Sequence, residues 1–135
     1  MDNMTKKIMV VDDDPSIIYT VKHGLEALEP GCSIIGVNSG EQCLKLLNNN
    51  EIPDVILLDI MMPGMTGWET INKIKQNDSW KNIPIIILTA RTDRIAKDAG
   101  IFLADDYIEK PFQIQYIKHR IDKILALKSD KKNIF

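Results

Sequence analysis

The sequence predicts an α/β fold: a mostly parallel five-stranded sheet with helices on both faces. Three observations predict it. Short apolar runs alternate with helical patterns five times along the chain. The runs lack the polar alternation of a half-exposed strand, so they read as buried on both faces. The 135 residues suit a single domain, and two cores of half that length would each be marginal.

The first strand is Ile8–Val11. It gives way to Asp12-Asp13-Asp14-Pro15, in which Asp14 suits an N-cap and Pro15 the first helical turn. Ile17, Ile18, Val21, Leu25 and Leu28 recur at helical spacing until Pro30-Gly31 stops the helix. Ser33 to Val37 reads as the second strand. Ser39 followed by Gln42 resembles a capping box for a helix that ends at Asn48-Asn49-Asn50. The third strand is Val55–Leu58, closed by Asp59, and Met62-Pro63-Gly64 is a turn. Thr66 and Glu69 form a second capping box for a helix whose apolar face is Trp68, Ile71 and Ile74. Ile85–Leu88 is the fourth strand, ending at Thr89, and a short, weakly patterned helix is expected over residues 93–101. Tyr107-Ile108 forms a brief fifth strand that stops at Lys110-Pro111. Ile114, Ile117, Ile121, Ile124 and Leu125 mark a last helix. The expected domain is 6–127, followed by a polar, frayed tail over 128–135.

Composition narrows the function classes. The longest apolar runs are four residues, far short of the roughly 20 of a membrane span, and the N-terminus lacks a signal-peptide core. A cytoplasmic protein is expected. Cys32 and Cys43 have no metal-type spacing and read as small filler residues. His23 and His119 read as solvated side chains, and Met61, Met62 and Met65 as fillers of an irregular loop. Residues 113–135 carry 6 basic and 2 acidic side chains against 11 and 17 in the rest. Because Lys118, Arg120, Lys123 and Lys128 interleave with apolar residues at helical spacing, they read as a solvated helix face, not a nucleic-acid patch.

Four strands end in polar residues at their carboxyl edge: Asp12 and Asp13, Asp59, Thr89, and Lys110. Open α/β sheets bind ligands at this edge, where the strand order reverses. In a 2-1-3-4-5 order the first and third strands are neighbours, about 5 Å apart, which would gather Asp12, Asp13 and Asp59 into one acidic pocket. A hard divalent cation relieves such repulsion, and Mg²⁺ suits a few carboxylates plus water. Lys110 adds a cation able to pair with Asp59 or with a phosphate, and Thr89 adds a hydroxyl. Carboxylate, Mg²⁺, lysine and hydroxyl together suit phosphoryl transfer to an aspartate, with no catalytic base needed.

The segments Val10-Val11-Asp12-Asp13-Asp14-Pro15, Leu58 to Gly67, Leu88-Thr89-Ala90 and Ile108-Glu109-Lys110-Pro111-Phe112 resemble the receiver domain of two-component response regulators over about residues 6–127. The resemblance implies a flavodoxin-like, doubly wound sheet of order 2-1-3-4-5 with five helices on two faces. It implies Asp59 as phosphoacceptor and direct Mg²⁺ ligation by Asp13, Asp59 and the Met61 backbone carbonyl, with Asp12 acting through water. Lys110 would contact the phosphoryl group, and Thr89 and Tyr107 would form the switch. A cis bond would precede Pro111. A sensor histidine kinase or histidine phosphotransfer protein would donate the phosphoryl group. A downstream protein would read the face made by the fourth helix, fifth strand and fifth helix, where Lys118 and Lys123 lie. Direct nucleic-acid and membrane binding are not expected, nor is turnover beyond self-phosphorylation and autodephosphorylation. The chain would be a stand-alone receiver or a piece of a longer protein. Leu103-Ala104 departs from the Gly-Ala pair frequent in the family, and Met61 and Arg91 occupy positions that modulate dephosphorylation there. A Mg²⁺-dependent aspartyl-phosphate phosphohydrolase is the alternative, opposed by Met61 where such enzymes carry a second Asp. A flavin carrier is opposed by three aspartates where a phosphate-cradling loop belongs, and a phosphorylation-independent receiver by the intact set of polar strand ends.

Overall fold

The computed structural model describes residues 5–90 and 104–133. Strands β1 (Lys7–Val11), β2 (Ser33–Val37), β3 (Val55–Asp59), β4 (Ile85–Thr89) and β5 (Asp106–Glu109) form one parallel sheet of order β2-β1-β3-β4-β5. Four helices lie among the described residues: α1 (Pro15–Leu28), α2 (Gly40–Asn48), α3 (Gly67–Lys75) and α4 (Ile114–Asn133). The helix expected over 93–101, and the positions of Arg91 and Leu103, lie outside the described residues.

Alternation along each strand divides the core into two layers. Met9, Val11, Ile56, Leu58, Ile85 and Ile87 pack on one face with Cys43, Leu47, Ile71 and Ile74 of α2 and α3. Ile8, Val10, Val55, Leu57, Ile86 and Leu88 pack on the other with Val21 and Leu25 of α1 and Ile117 and Ile121 of α4. Since both faces are covered, every residue of β3 and β4 is buried, which is why those strands read as unbroken apolar runs.

The helix starts follow the capping chemistry. Asp14 accepts the Ser16 N–H at 2.9 Å, with Pro15 in the first turn of α1. Ser39 accepts the Gln42 N–H at 3.1 Å, the forward half of a capping box. At α3 both halves form: Thr66 Oγ1 accepts from Glu69 N at 3.2 Å, and Glu69 Oε1 from Thr66 N at 2.9 Å. The Lys110–Pro111 peptide is cis, as the resemblance implies.

The structure corrects the reading of the C-terminal segment. Helix α4 continues to Asn133, so residues 128–133 are helical. The segment is rich in lysine, a good helix former, and extends a long helix already nucleated on the core. The basic residues of α4 are not a purely solvated face either. Lys118 lies 2.6 Å from Asp122 and 3.5 Å from Glu29, while Lys6 lies 2.7 Å from Asp122 and 3.0 Å from Glu29. These four charges close a ring joining α4 to the start of β1 and the end of α1. Arg120 pairs with Asp106 of β5.

Candidate functional site

The carboxyl edge of the sheet is built by register. Val11 pairs with Leu58, so the next step along β1 and β3 brings Asp12 beside Asp59. The Asp12 N–H donates to Val37 O at 3.0 Å, which prolongs the β1 ladder and holds the residue in place. On the other side, Asp59 pairs with Leu88 and Thr89 with Glu109, and the Lys110 N–H donates to Thr89 O at 2.6 Å. All the polar strand ends named from the sequence thus share this edge.

Burial separates their roles. Asp12 is 1% exposed, Asp59 5% and Thr89 3%, whereas Asp13 is exposed. Carboxylate oxygens of Asp12, Asp13 and Asp59 all lie within 4.8 Å of one another. Lys110 Nζ donates to Asp12 Oδ2 at 2.7 Å and lies 3.5 Å from Asp59 Oδ1. The pairing of Lys110 with Asp59 that the sequence allowed is present, and a second, shorter contact with Asp12 joins it. The second Asp12 oxygen, Oδ1, accepts the Asp14 N–H at 2.9 Å, so both oxygens of this buried group are engaged.

The charge balance strains the pocket. Burial, and then the Asp12 charge, push the Asp59 carboxyl up to about 6, although Lys110 pulls against them. Burial lowers the Lys110 ammonium, yet the hydrogen bond it donates to Asp12 and the charges of Asp12 and Asp59 together outweigh it and leave the group raised. Three carboxylates facing one ammonium leave negative charge in excess. An all-oxygen set of this kind is able to hold a hard metal ion.

The loop after Asp59 is fixed by a close approach. The Gly67 N–H donates to Ile60 O at 2.9 Å, and a Cβ on Gly67 would stand 2.3 Å from Asp59 O and 2.7 Å from Ile60 Cα. Only glycine lets α3 begin against the backbone of the pocket. Gly67→Ala is expected to destabilise the domain by about 1–3 kcal/mol, because backbone cannot yield as a flexible side chain does. Urea denaturation measures this, and an unchanged midpoint would refute the contact.

Other expected residues divide. Met62 is buried as a loop filler should be, but Met61 is 72% exposed. Its two core-anchored neighbours, Ile60 and Met62, leave it on the outside of the turn. Tyr107 is half-buried against the α2–α3 layer of the core. His23 is exposed and packs against Tyr19 with the rings tilted by 43° and their centroids 4.0 Å apart. Cys43 is a buried filler whose thiol burial pushes up to about 12, and Cys32 is partly buried. Gly67 and the Glu41 carboxylate, which accepts the Met65 N–H at 3.3 Å, escaped sequence reading. The Gly67 signal was available in its place as the first residue of a capping-box helix, whereas an exposed glutamate in a first turn gives none. Among the described residues no helix is long and apolar enough to cross a membrane.

Comparison with known proteins gives a consistent result. The family model for the response regulator receiver domain matches residues 8–122. The alkaline phosphatase synthesis transcriptional regulatory protein PhoP of Bacillus subtilis is 38% identical over 123 residues, 90% of this chain and 49% of that protein. A probable cyclic di-GMP phosphodiesterase of Vibrio cholerae is 38% identical over 92% of this chain but only 27% of its own length. Among solved structures, a putative response regulator from Chloroflexus aurantiacus has a TM-score of 0.84 at 32% identity, covering 91% of this chain and 99% of that one. The chemotaxis protein CheY4 of Vibrio cholerae gives 0.80 at 28% identity, covering 89% and 98%. The chain spans about half the length of the curated regulators it matches.

Proposed function

We propose, from the premise that this chain belongs to the response regulator receiver family, that it accepts a phosphoryl group on Asp59 and passes the change to a protein partner. The observation that carries this reading is a buried Asp59 sharing one pocket with Asp12, Asp13 and Lys110. With its carboxyl near 6, Asp59 is mostly ionised at neutral pH and is nucleophilic without a base.

The donor is a phosphohistidine, on a sensor histidine kinase or a histidine phosphotransfer protein. An Asp59 oxygen forms a bond to phosphorus as the P–N bond breaks, and the electron pair leaves on the imidazole nitrogen. Lys110 holds positive charge beside the incoming phosphoryl oxygens, exchanging carboxylate contacts for phosphoryl ones. Mg²⁺ is the ion the pocket would take, held by Asp13 and Asp59 with Asp12 and the Met61 backbone carbonyl, and when bound it supplies charge neutralisation for the transferred group. The reading is of a signalling module of the cytoplasm that catalyses only its own phosphorylation and dephosphorylation. No observation favours the phosphohydrolase alternative, whose second Asp position here carries the exposed Met61.

Thr89 and Tyr107 are the proposed switch, supported by their places on the paired strands β4 and β5. The partner would read the surface of β5 and the C-terminal helix, with the segment preceding β5. A cavity of about 650 Å³ lined by Tyr107, Glu109, Phe112, Tyr116 and Arg120 lies on this face. Lys118 is committed to the charge ring described above, so Lys123 is the exposed lysine of the two expected there.

Incubation with acetyl phosphate and Mg²⁺ is expected to add the mass of one phosphoryl group to the intact protein. EDTA and Asp59→Asn are each expected to abolish the adduct. Full labelling of the Asn variant would move the phosphoacceptor to another residue.

A further inference from the structure

We propose that Glu41 is a positioning residue for the loop that follows the phosphoacceptor. The proposal rests on the functional reading above, because that loop carries Met61, whose carbonyl belongs to the proposed metal set. The loop is anchored at both ends. Ile60 and Met62 enter the core, Gly67 bonds back to Ile60, and the Thr66–Glu69 capping box fixes the start of α3. Between these anchors lie Pro63, Gly64 with φ of 75°, and Met65, which precede the first helical turn and have no ladder of their own.

Helix α2 supplies what the loop lacks. Glu41 Oε2 accepts the Met65 N–H at 3.3 Å, and a Cβ on Gly64 would lie 3.1 Å from the same oxygen. One carboxylate therefore meets two consecutive loop residues. Its own position is set by Gly40, where an added Cβ would stand 2.1 Å from Thr70 Oγ1 and 3.2 Å from Met65 Sδ. The start of α2 is thus seated against both the loop and α3, and Glu41 reaches across from a fixed base. A ligand loop held in one conformation binds more tightly than one that samples several, because only the competent fraction binds.

The test compares Glu41→Ala with Glu41→Gln, whose amide oxygen accepts the same bond without the charge. Met65 amide exchange by NMR is expected to speed up about fivefold in Glu41→Ala, the scale of one exposed hydrogen bond. Calorimetric Mg²⁺ affinity is expected to weaken by about threefold in the same variant, through the lower competent fraction. Glu41→Gln should restore both. Wild-type exchange and affinity in Glu41→Ala would overturn the proposal, as would a Glu41→Gln protein that behaves like Glu41→Ala, since charge and not positioning would then be at work. If wild type binds no Mg²⁺ while the exchange difference persists, the metal reading fails and the positioning of the loop stands.

Discussion

Lys110→Met is expected to destabilise the metal-free protein at pH 7 by about 2–3 kcal/mol, close to the cost of breaking a buried ion pair. Methionine keeps much of the stem's volume, so the loss reports the charge. Lys110 Nζ is 2.7 Å from Asp12 and 3.5 Å from Asp59, and both carboxylates are almost fully buried. Removing the ammonium leaves two negative charges beside each other, with no other cation among the described residues paired to both. The ammonium retains some contact with water, which keeps the expected cost below the upper end for fully enclosed pairs. The pH dependence has a definite sign. Without Lys110, nothing offsets the burial that already raises the Asp59 carboxyl, which then holds its proton more strongly than in the unfolded chain, so acid relieves the penalty. The gap between variant and wild type should narrow as pH falls from 7 through about 6, where Asp59 already titrates in the wild type. Urea denaturation in EDTA at pH 7 and pH 5 measures both quantities. An equal cost at the two pH values would mean that the loss comes from packing.

Most of this pocket was legible in the sequence because its residues are placed by backbone rules. Asp12, Asp59, Thr89 and Lys110 each end or follow an apolar run, and parallel register carries strand ends to one edge whatever the side chains do. The caps at Asp14 and Thr66 were equally plain, since their hydrogen bonds are local. What escaped reading depends on reach across the fold. Lys110 sits nearer Asp12 than Asp59, a matter of where a flexible stem ends. Lys118 pairs with Glu29, 89 positions away in the sequence, in a ring that no helical periodicity reveals. Glu41 looks like any acid near a helix start until the loop is folded against it. The length of α4 escaped for another reason: residues 128–133 contain no apolar side chain, so the apolar pattern that marked its beginning could not mark its end.

Asp59→Asn is expected to act in the opposite direction to Lys110→Met and to stabilise the metal-free protein at neutral pH. Folding lifts the Asp59 carboxyl from an ordinary 3.8 to about 6, so ionised Asp59 is less at home in the fold than in the unfolded chain. A difference of about two pKa units corresponds to roughly 3 kcal/mol at pH 7, the ceiling for the gain when a neutral isostere replaces the charge. The sign follows from proton binding. Between about pH 4 and 6 the folded wild type binds more protons than the unfolded chain, so its stability rises as pH falls. The Asn variant has no such proton to take up. Its advantage should therefore be full at pH 7 and shrink towards zero near pH 4. Mg²⁺ should erase part of the difference at pH 7 by stabilising wild type more than the variant, because Asp59 belongs to the proposed metal set. Thermal unfolding in EDTA should show a midpoint several degrees higher for Asp59→Asn at pH 7, and a midpoint equal to or below wild type would refute the charge strain. Combining Asp59→Asn with Lys110→Met tests whether the two effects share one cause. Neutralising Asp59 removes one of the two carboxylates that Lys110 serves, so losing the lysine should cost less in the Asn background than in wild type. The proposed nucleophile would thus be a group the fold is more stable without, and its charge is the property that phosphoryl transfer would need.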